Sequence, residues 1–327
     1  MKTFLKYILL ISTFGFLISC EKEIEFNGDI VKPLVVVNSF LSTDSVVKAH
    51  ISKSKFFLSN TTFFDSITNA TVSIFVNGTL KENLTHQKFG LYQGTYIPKQ
   101  GDSVRMVVKV PQYEGDVVSS TLIQNKSNIL SVDTSLTFKF LDSVYYEKEV
   151  VGYVYYYDCD IRLRIRDNAR ETNFYRLVAK KKYQAMPGHS AWNQEYFISF
   201  KLEGFENQSG NLIDFLEDSE NWQDEHLIPD EMFNGKELML KFRTDFSLVK
   251  LKPGYESLDF LRQGNESIKI NLQTISKDLY LYLRSRRAAQ NLTDGFFAEP
   301  VQIFNNIRNG LGILGAQTNN EYLLELK

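Results

Sequence analysis

Between Tyr153 and Ile165 the chain alternates in character. Cys159, Ile161, Leu163 and Ile165 are apolar, and Asp160, Arg162, Arg164 and Arg166 interleave with them as charged neighbours. Successive side chains of an extended strand point to opposite faces, so this period of two predicts a half-exposed β-strand. Similar runs come earlier. Leu34–Val37 has a buried-strand pattern, Val46–Ile51 alternates in part, and Thr71–Val76 alternates clearly before the hairpin pair Asn77-Gly78. Leu91–Ile97 is punctuated by Gly90 and Gly94, Gly101-Asp102 marks a turn, and Val104–Val110 alternates until Pro111. Short strands at this spacing predict an antiparallel β-sandwich of immunoglobulin-like or transthyretin-like type over residues 33–122. The aromatic content, 13% with 25 Phe and 17 Tyr, suits sheets, where flat rings pack on a pleated surface.

Residues 123–327 read as a second β-rich domain. Gln124–Asp133 is expected to connect into it, and Leu136–Phe140, Phe174–Ala179, Glu195–Leu202 and Leu238–Phe246 read as strands. Leu212–Leu216 has the pattern of one helical turn. A single clear helix is expected near 276–290. Ser276 is a good N-cap, Asp278 sits in the first turn, and Leu279, Tyr282 and Leu283 share a face. Arg284, Arg286 and Arg287 are expected at the far end, where cations suit the helix dipole, with Asn291 and Gly295 ending it.

The N-terminus fixes an address. Lys2 and Lys6 precede an apolar stretch from Tyr7 to Ile18, broken only by Ser12, Thr13 and Gly15. That is the size of a signal-peptide core, about 7–15 residues, and too short to span a bilayer. It ends in Leu17-Ile18-Ser19-Cys20, which resembles the bacterial lipobox, with Leu17 and Ser19 as the signal-peptidase recognition residues. Residues 1–19 are therefore expected to be removed, and Cys20 to carry lipid, with palmitate among its acyl chains. Residues 20–32 are expected to form a polar tether, and the acidic Glu21, Glu23 and Glu25 resemble the export tags of surface lipoproteins in Bacteroidota. With Cys20 lipidated, Cys159 is the other of two cysteines and has no disulfide partner; a small core residue is the reading it favours.

Chemistry is sparse. A net charge of −2 gives no electrostatic case for nucleic acid. No nucleophile elbow, phosphate loop, dinucleotide fingerprint or His-Glu-x-x-His is present, and His50, His86, His189 and His226 lack metal-ligand spacing. No catalytic residue, cofactor or metal is therefore expected. The acidic stretch 217–225, with His226 behind it, offers carboxylates to a hard cation but lacks the spacing and turn glycine of an EF-hand, and it reads as a solvated loop. Lys180-Lys181-Lys182 reads as a charged strand end, and Arg284, Arg286 and Arg287 as packing or capping residues before an anion site. Trp192 and Trp222 sit in polar contexts, where exposed rings serve as platforms for sugars or peptide side chains and tucked rings serve packing. Asp44-Ser45-Val46, Asp65-Ser66-Ile67, Asp102-Ser103-Val104 and Asp142-Ser143-Val144 each resemble an O-glycosylation acceptor of Bacteroidota.

The end of the chain carries a more specific resemblance. Ile275-Ser276-Lys277-Asp278-Leu279-Tyr280-Leu281-Tyr282 is followed by Phe297-Ala298-Glu299-Pro300-Val301 and then by Asn305-Asn306-Ile307-Arg308-Asn309-Gly310-Leu311-Gly312-Ile313-Leu314-Gly315. With Cys20-Glu21-Lys22-Glu23-Ile24, Pro33–Leu41 and Asp230–Lys236, this order resembles the DUF4249 family of Bacteroidota lipoproteins, over nearly all of the mature chain. Leu279 departs from it, since members often carry tyrosine there. The resemblance implies an outer-membrane lipoprotein, commonly encoded beside a TonB-dependent receptor, and it brings no catalytic residues. The expectation is a non-enzymatic accessory or ligand-binding protein; the alternative is a structural or adhesive surface lipoprotein that binds polymer or host ligand.

Overall fold

The computed structural model describes residues 32–56, 64–183, 194–200, 202–203, 225–261, 266–291 and 301–325. The chain is mainly β, with two sheets and, among the described residues, one α-helix, as the sequence predicts.

The first seven strands are β1 (Val35–Ser42), β2 (Lys48–Lys53), β3 (Thr71–Val76), β4 (Thr79–Lys88), β5 (Leu91–Gln93), β6 (Ser103–Lys109) and β7 (Val117–Leu122). The alternation read in β3 and β6 is real: Val72, Ile74, Val104, Met106 and Val108 are all buried. β4 carries the sheet around a corner, because it pairs with β3 through Thr79–Leu84 and with β5 through Thr85–Lys88. The inward side chains Val37, Leu41, Ile51, Ile74, Tyr92 and Met106 close one core between the two arms. Asn77 and Gly78 both have positive φ at the β3–β4 hairpin, as the Asn-Gly signal requires.

A second core lies between two facing sheets. One holds β8 (Asn128–Tyr146), β9 (Glu149–Arg166), β12 (Leu202–Glu203) and β14 (Glu237–Leu251), in the order β12-β14-β9-β8. The other side is formed by β10 (Phe174–Tyr183), β11 (Gln194–Phe197), β13 (Glu225–Pro229), β15 (Glu266–Ile275) and β17 (Glu321–Glu325). Cys159, Ile161, Leu163 and Ile165 of β9 are fully buried against Leu177, Ile268, Ile270 and Leu272, while Arg162, Arg164 and Arg166 point to water. Gln124–Asp133, expected as a connector, already runs as β8 from Asn128; a bulge between Ile129 and Ser131 breaks the alternation that would have marked it.

Strand β16 (Leu311–Thr318), from the C-terminal end, runs parallel to β1, with Val36 opposite Leu311 and Ser42 opposite Gln317. Its last residues pair with the end of β15. Helix α1 (Lys277–Asn291) packs Leu279, Tyr280 and Leu283 against Phe174, Leu227 and Ile275. Ser276 caps it: its Oγ accepts from the amide of Leu279 at 3.3 Å and from Ala316 at 3.1 Å. The last turn of α1 holds no basic residue, contrary to the expectation for its arginines, which lie a turn earlier and serve a different contact.

Candidate functional site

The expected signal-peptidase residues Leu17 and Ser19, the lipid-bearing Cys20, the platform residues Trp192 and Trp222, and residues 217–224 of the acidic stretch all lie outside the described residues. Leu212–Leu216, His189, Gly295 and Pro300 do too. Among the described residues, no group of three or more His, Cys, Asp or Glu is placed to hold a metal ion.

Several of the remaining sequence candidates are occupied with structure. Glu225 receives Arg176 and, at 3.6 and 3.9 Å, Arg286 and Arg287. These arginines therefore bind β13 to α1 and β10. His226 is buried, with Nε2 2.7 Å from the carbonyl of Phe200 and its ring beside the Phe200 ring. Lys180 pairs with Glu195, and Lys181 with Asp245. Cys159 is fully buried, and desolvation, with Asp160 beside it, pushes its thiol up to about 11. A buried thiol held protonated is a poor nucleophile.

One polar cluster was invisible in the sequence. Asp167 accepts from Tyr175 Oη at 2.5 Å, from Asn173 Nδ2 at 3.3 Å and from the amide of Gly235 at 2.7 Å. Asp230 accepts from the amide of Asn173 at 2.6 Å, and burial raises its pKa, with Asp167 adding to the effect. Two carboxylates and a phenol resemble acid–base machinery by composition. Their lone pairs, however, are committed to holding the Asp167–Asn173 turn and the segment from Asp230 to Gly235, which makes the cluster a buried hydrogen-bond network.

Among the described residues, one surface without such internal use is the ribbon of β8, β9 and the far part of β14. At about 3.3 Å per residue, a strand of 19 residues such as β8 extends roughly 60 Å, beyond the reach of the core it borders. On the face continuous with the core, Phe138 lies 5.9 Å from Tyr157 and 6.4 Å from Tyr155, and Tyr157 lies 6.5 Å from Phe246. On the opposite face Phe140 stacks on Tyr156 at 4.5 Å. Phe138 and Phe140 are 52% and 53% exposed, and Leu136, Leu141 and Tyr145 are exposed as well. A strand with apolar residues on both faces is ordinarily covered on both. Here most of β8 is exposed, and it forms the edge of its sheet. Exposed apolar surface of this kind, rimmed by Lys139, Asp142 and Lys250, has the character of an interaction site.

The C-terminal motif is architectural. Asn306 accepts from the Leu314 amide and donates to the Leu314 carbonyl, both at 2.9 Å, and so acts as an extra strand residue. Asn305 holds the carbonyls of Ile307 and Gly310, and Asn309 reaches the carbonyl of Asp116. Gly312 has φ +115°, and a Cβ there would stand 2.1 Å from the Val37 carbonyl oxygen.

No curated protein matches this chain. A family model does: Domain of unknown function DUF4249 matches residues 21–322 and so covers both sheets, α1 and the terminal motif. The chain belongs to the DUF4249 family.

Proposed function

We propose that the chain is an outer-membrane, surface-displayed lipoprotein of Bacteroidota type. Lipid on Cys20 holds it, and it acts without catalysis as an accessory or ligand-binding partner of a TonB-dependent transporter in nutrient uptake. The observation that supports this reading is the distal ribbon, a projecting sheet with exposed aromatic residues on both faces. Its chemistry suits a protein partner better than lipid tails. The outer edge of β8 presents backbone N–H and C=O groups, which hydrocarbon leaves unsatisfied at a cost of several kcal/mol each. Aromatic side chains, in turn, supply large contact area at low entropic cost.

The test is co-purification of the full chain from membranes in mild detergent, beside a Phe140→Asp/Tyr156→Asp variant. A TonB-dependent receptor is expected with the natural chain and is expected to be lost with the variant. Failure to recover any outer-membrane receptor, with unchanged uptake on deletion of the protein, overturns the reading. Retention on an extracellular polymer without a receptor would point to the adhesive alternative.

A further inference from the structure

We infer that β8 pairs edge to edge with β8 of a second copy of this chain, forming a two-fold antiparallel dimer centred on Leu136. The inference does not require the transporter reading: the second copy takes the β8 edge, and the stacked Phe140–Tyr156 face stays available to another partner. Among the described residues, β8 pairs with β9 on one side only, so its outer edge offers unpaired amides and carbonyls to a further strand. That edge is regular only over a limited length. Bulges between Ile129 and Ser131 and between Phe138 and Phe140 bound the segment Ser131–Phe138. Bulges bend the strand, so regular pairing is carried by Ser131–Phe138, and Lys139, the bulged residue itself, meets the docked strand at the border of that run.

The segment reads as complementary to itself. In an antiparallel pair centred on Leu136, Leu136 faces its own copy, Thr134 faces Phe138, Ser135 faces Thr137, and Asp133 faces Lys139. Each contact except the central one occurs twice. These are an aliphatic pair, an aromatic–β-branched pair, a hydroxyl pair and an ion pair, the cross-strand combinations that stabilise sheets. The pleat agrees with this register. Thr134, Leu136 and Phe138 lie opposite Ile161, Cys159 and Tyr157, on the face continuous with the core. Asp133 lies opposite Arg162 on the other face, where Lys139 reaches Asp158 at 3.1 Å. Both charges therefore lie on one face, and each copy supplies both partners.

Other registers do worse. A shift of two residues sets Asp133 against Thr137 or Leu141. A shift of four sets Asp133 against Ser135 or Ser143 and forms no ion pair, and a shift of six sets Asp133 against Asp133, or Lys139 against Lys139. The alternative that pairs Lys139 with Asp142 requires Phe140 to face Leu141. Phe140 and Leu141 lie opposite Tyr156 and Tyr155, on opposite faces, and cannot be cross-strand neighbours. The favoured register also gives the exposed Leu136 and Phe138 apolar neighbours from the second copy. The arrangement closes on itself, because each β8 has one free edge and the two-fold axis uses both.

Cysteine cross-linking of the full chain in mild detergent tests this directly, with the unsubstituted chain as baseline. A directly opposed cross-strand pair lies within disulfide range. Because Cys159 lies directly opposite Leu136 in the same chain, the cysteine variants are made in a Cys159→Ala background, where Leu136→Cys is expected to give an oxidised dimer by itself. Asp133→Cys is expected to cross-link only when mixed with Lys139→Cys. In sedimentation, Asp133→Lys and Lys139→Asp are each expected to shift the chain to monomer, and the double exchange to restore the dimer. A monomer in sedimentation, a dimer that leaves Leu136→Cys uncross-linked, or single charge reversals without effect would each overturn the proposal.

Discussion

At the scale of single residues, two features carry strong expectations. Gly312 combines φ +115° with a backbone oxygen 2.1 Å from where a Cβ would stand, whereas Gly78, at φ +84°, has open space around it. Gly312→Ala should therefore cost well over the roughly 1–3 kcal/mol of a strained dihedral alone, and Gly78→Ala only that dihedral cost. Equal shifts in urea midpoint for the two variants would contradict this account. Asp230 has a folded-state pKa raised by burial and by Asp167. Below the unfolded value both states are protonated; as pH rises through the folded pKa, the folded state must ionise a buried group and stability falls. An Asp230→Asn variant keeps an acceptor for the Asn173 amide and should gain on the natural chain as pH increases from about 4. Paired urea titrations across that range would show it, and a variant that loses stability relative to the natural chain as pH rises would count against it. Neither feature was legible in advance. Gly312 looked like one glycine of a turn-rich motif, and Asp167 and Asp230 meet only because β10 and β13 are neighbours in the fold.

At the scale of elements, legibility followed solvent. Strands with one wet face announced themselves: β3, β6 and β9 alternate, and their alternation matches their burial. β15 carries the same signal, with Ile268, Ile270 and Leu272 buried between Lys269, Asn271 and Gln273. β16 gave no such signal. Its Ile313, Leu314 and Ala316 are all buried, so it reads as a short apolar run among glycines. The ribbon misled in the opposite direction, since Leu136–Phe140 has the composition of a covered strand and is exposed. Helix α1 was the most legible element, because its start depends on one local device. Ser276 is buried, and its Oγ satisfies the amides of both Leu279 and Ala316. Ser276→Ala leaves two buried donors without that acceptor and should cost about 2–3 kcal/mol, more than an ordinary N-cap. The loss would appear in the urea midpoint together with faster amide exchange at Leu279 and Ala316. Faster exchange confined to the helix would mean that the Ala316 contact is dispensable.

At the scale of the whole molecule, the deciding fact is where the C-terminal segment goes. β16 hydrogen-bonds along the length of β1 and then meets β15, and the turn after it is tied to both sides. Asn319 donates to Asp44 at 2.6 Å while its Oδ1 accepts from Gln273 at 2.9 Å and from Asn271 at 3.2 Å. Thr318 donates to the carbonyl of Gln124, and Asn320 to that of Ser127. The first core thus contains the last part of the chain, and the second core is fastened to the first through the same residues. Cores joined by a shared strand unfold together when the joint costs more to open than either core costs alone. Leu314 is the residue to weaken, because it is fully buried in the first core while its backbone is held by Asn306. Leu314→Ala should cost about 2–5 kcal/mol as a core truncation. The expected result is a single unfolding transition displaced as a whole, with faster amide exchange in β9 and β15 as well as in β1. A split transition, in which the amides of β1 open early while those of β9 and β15 keep their protection, would mean that β16 is only an edge strand of the first core. The two cores would then stand as separately stable units.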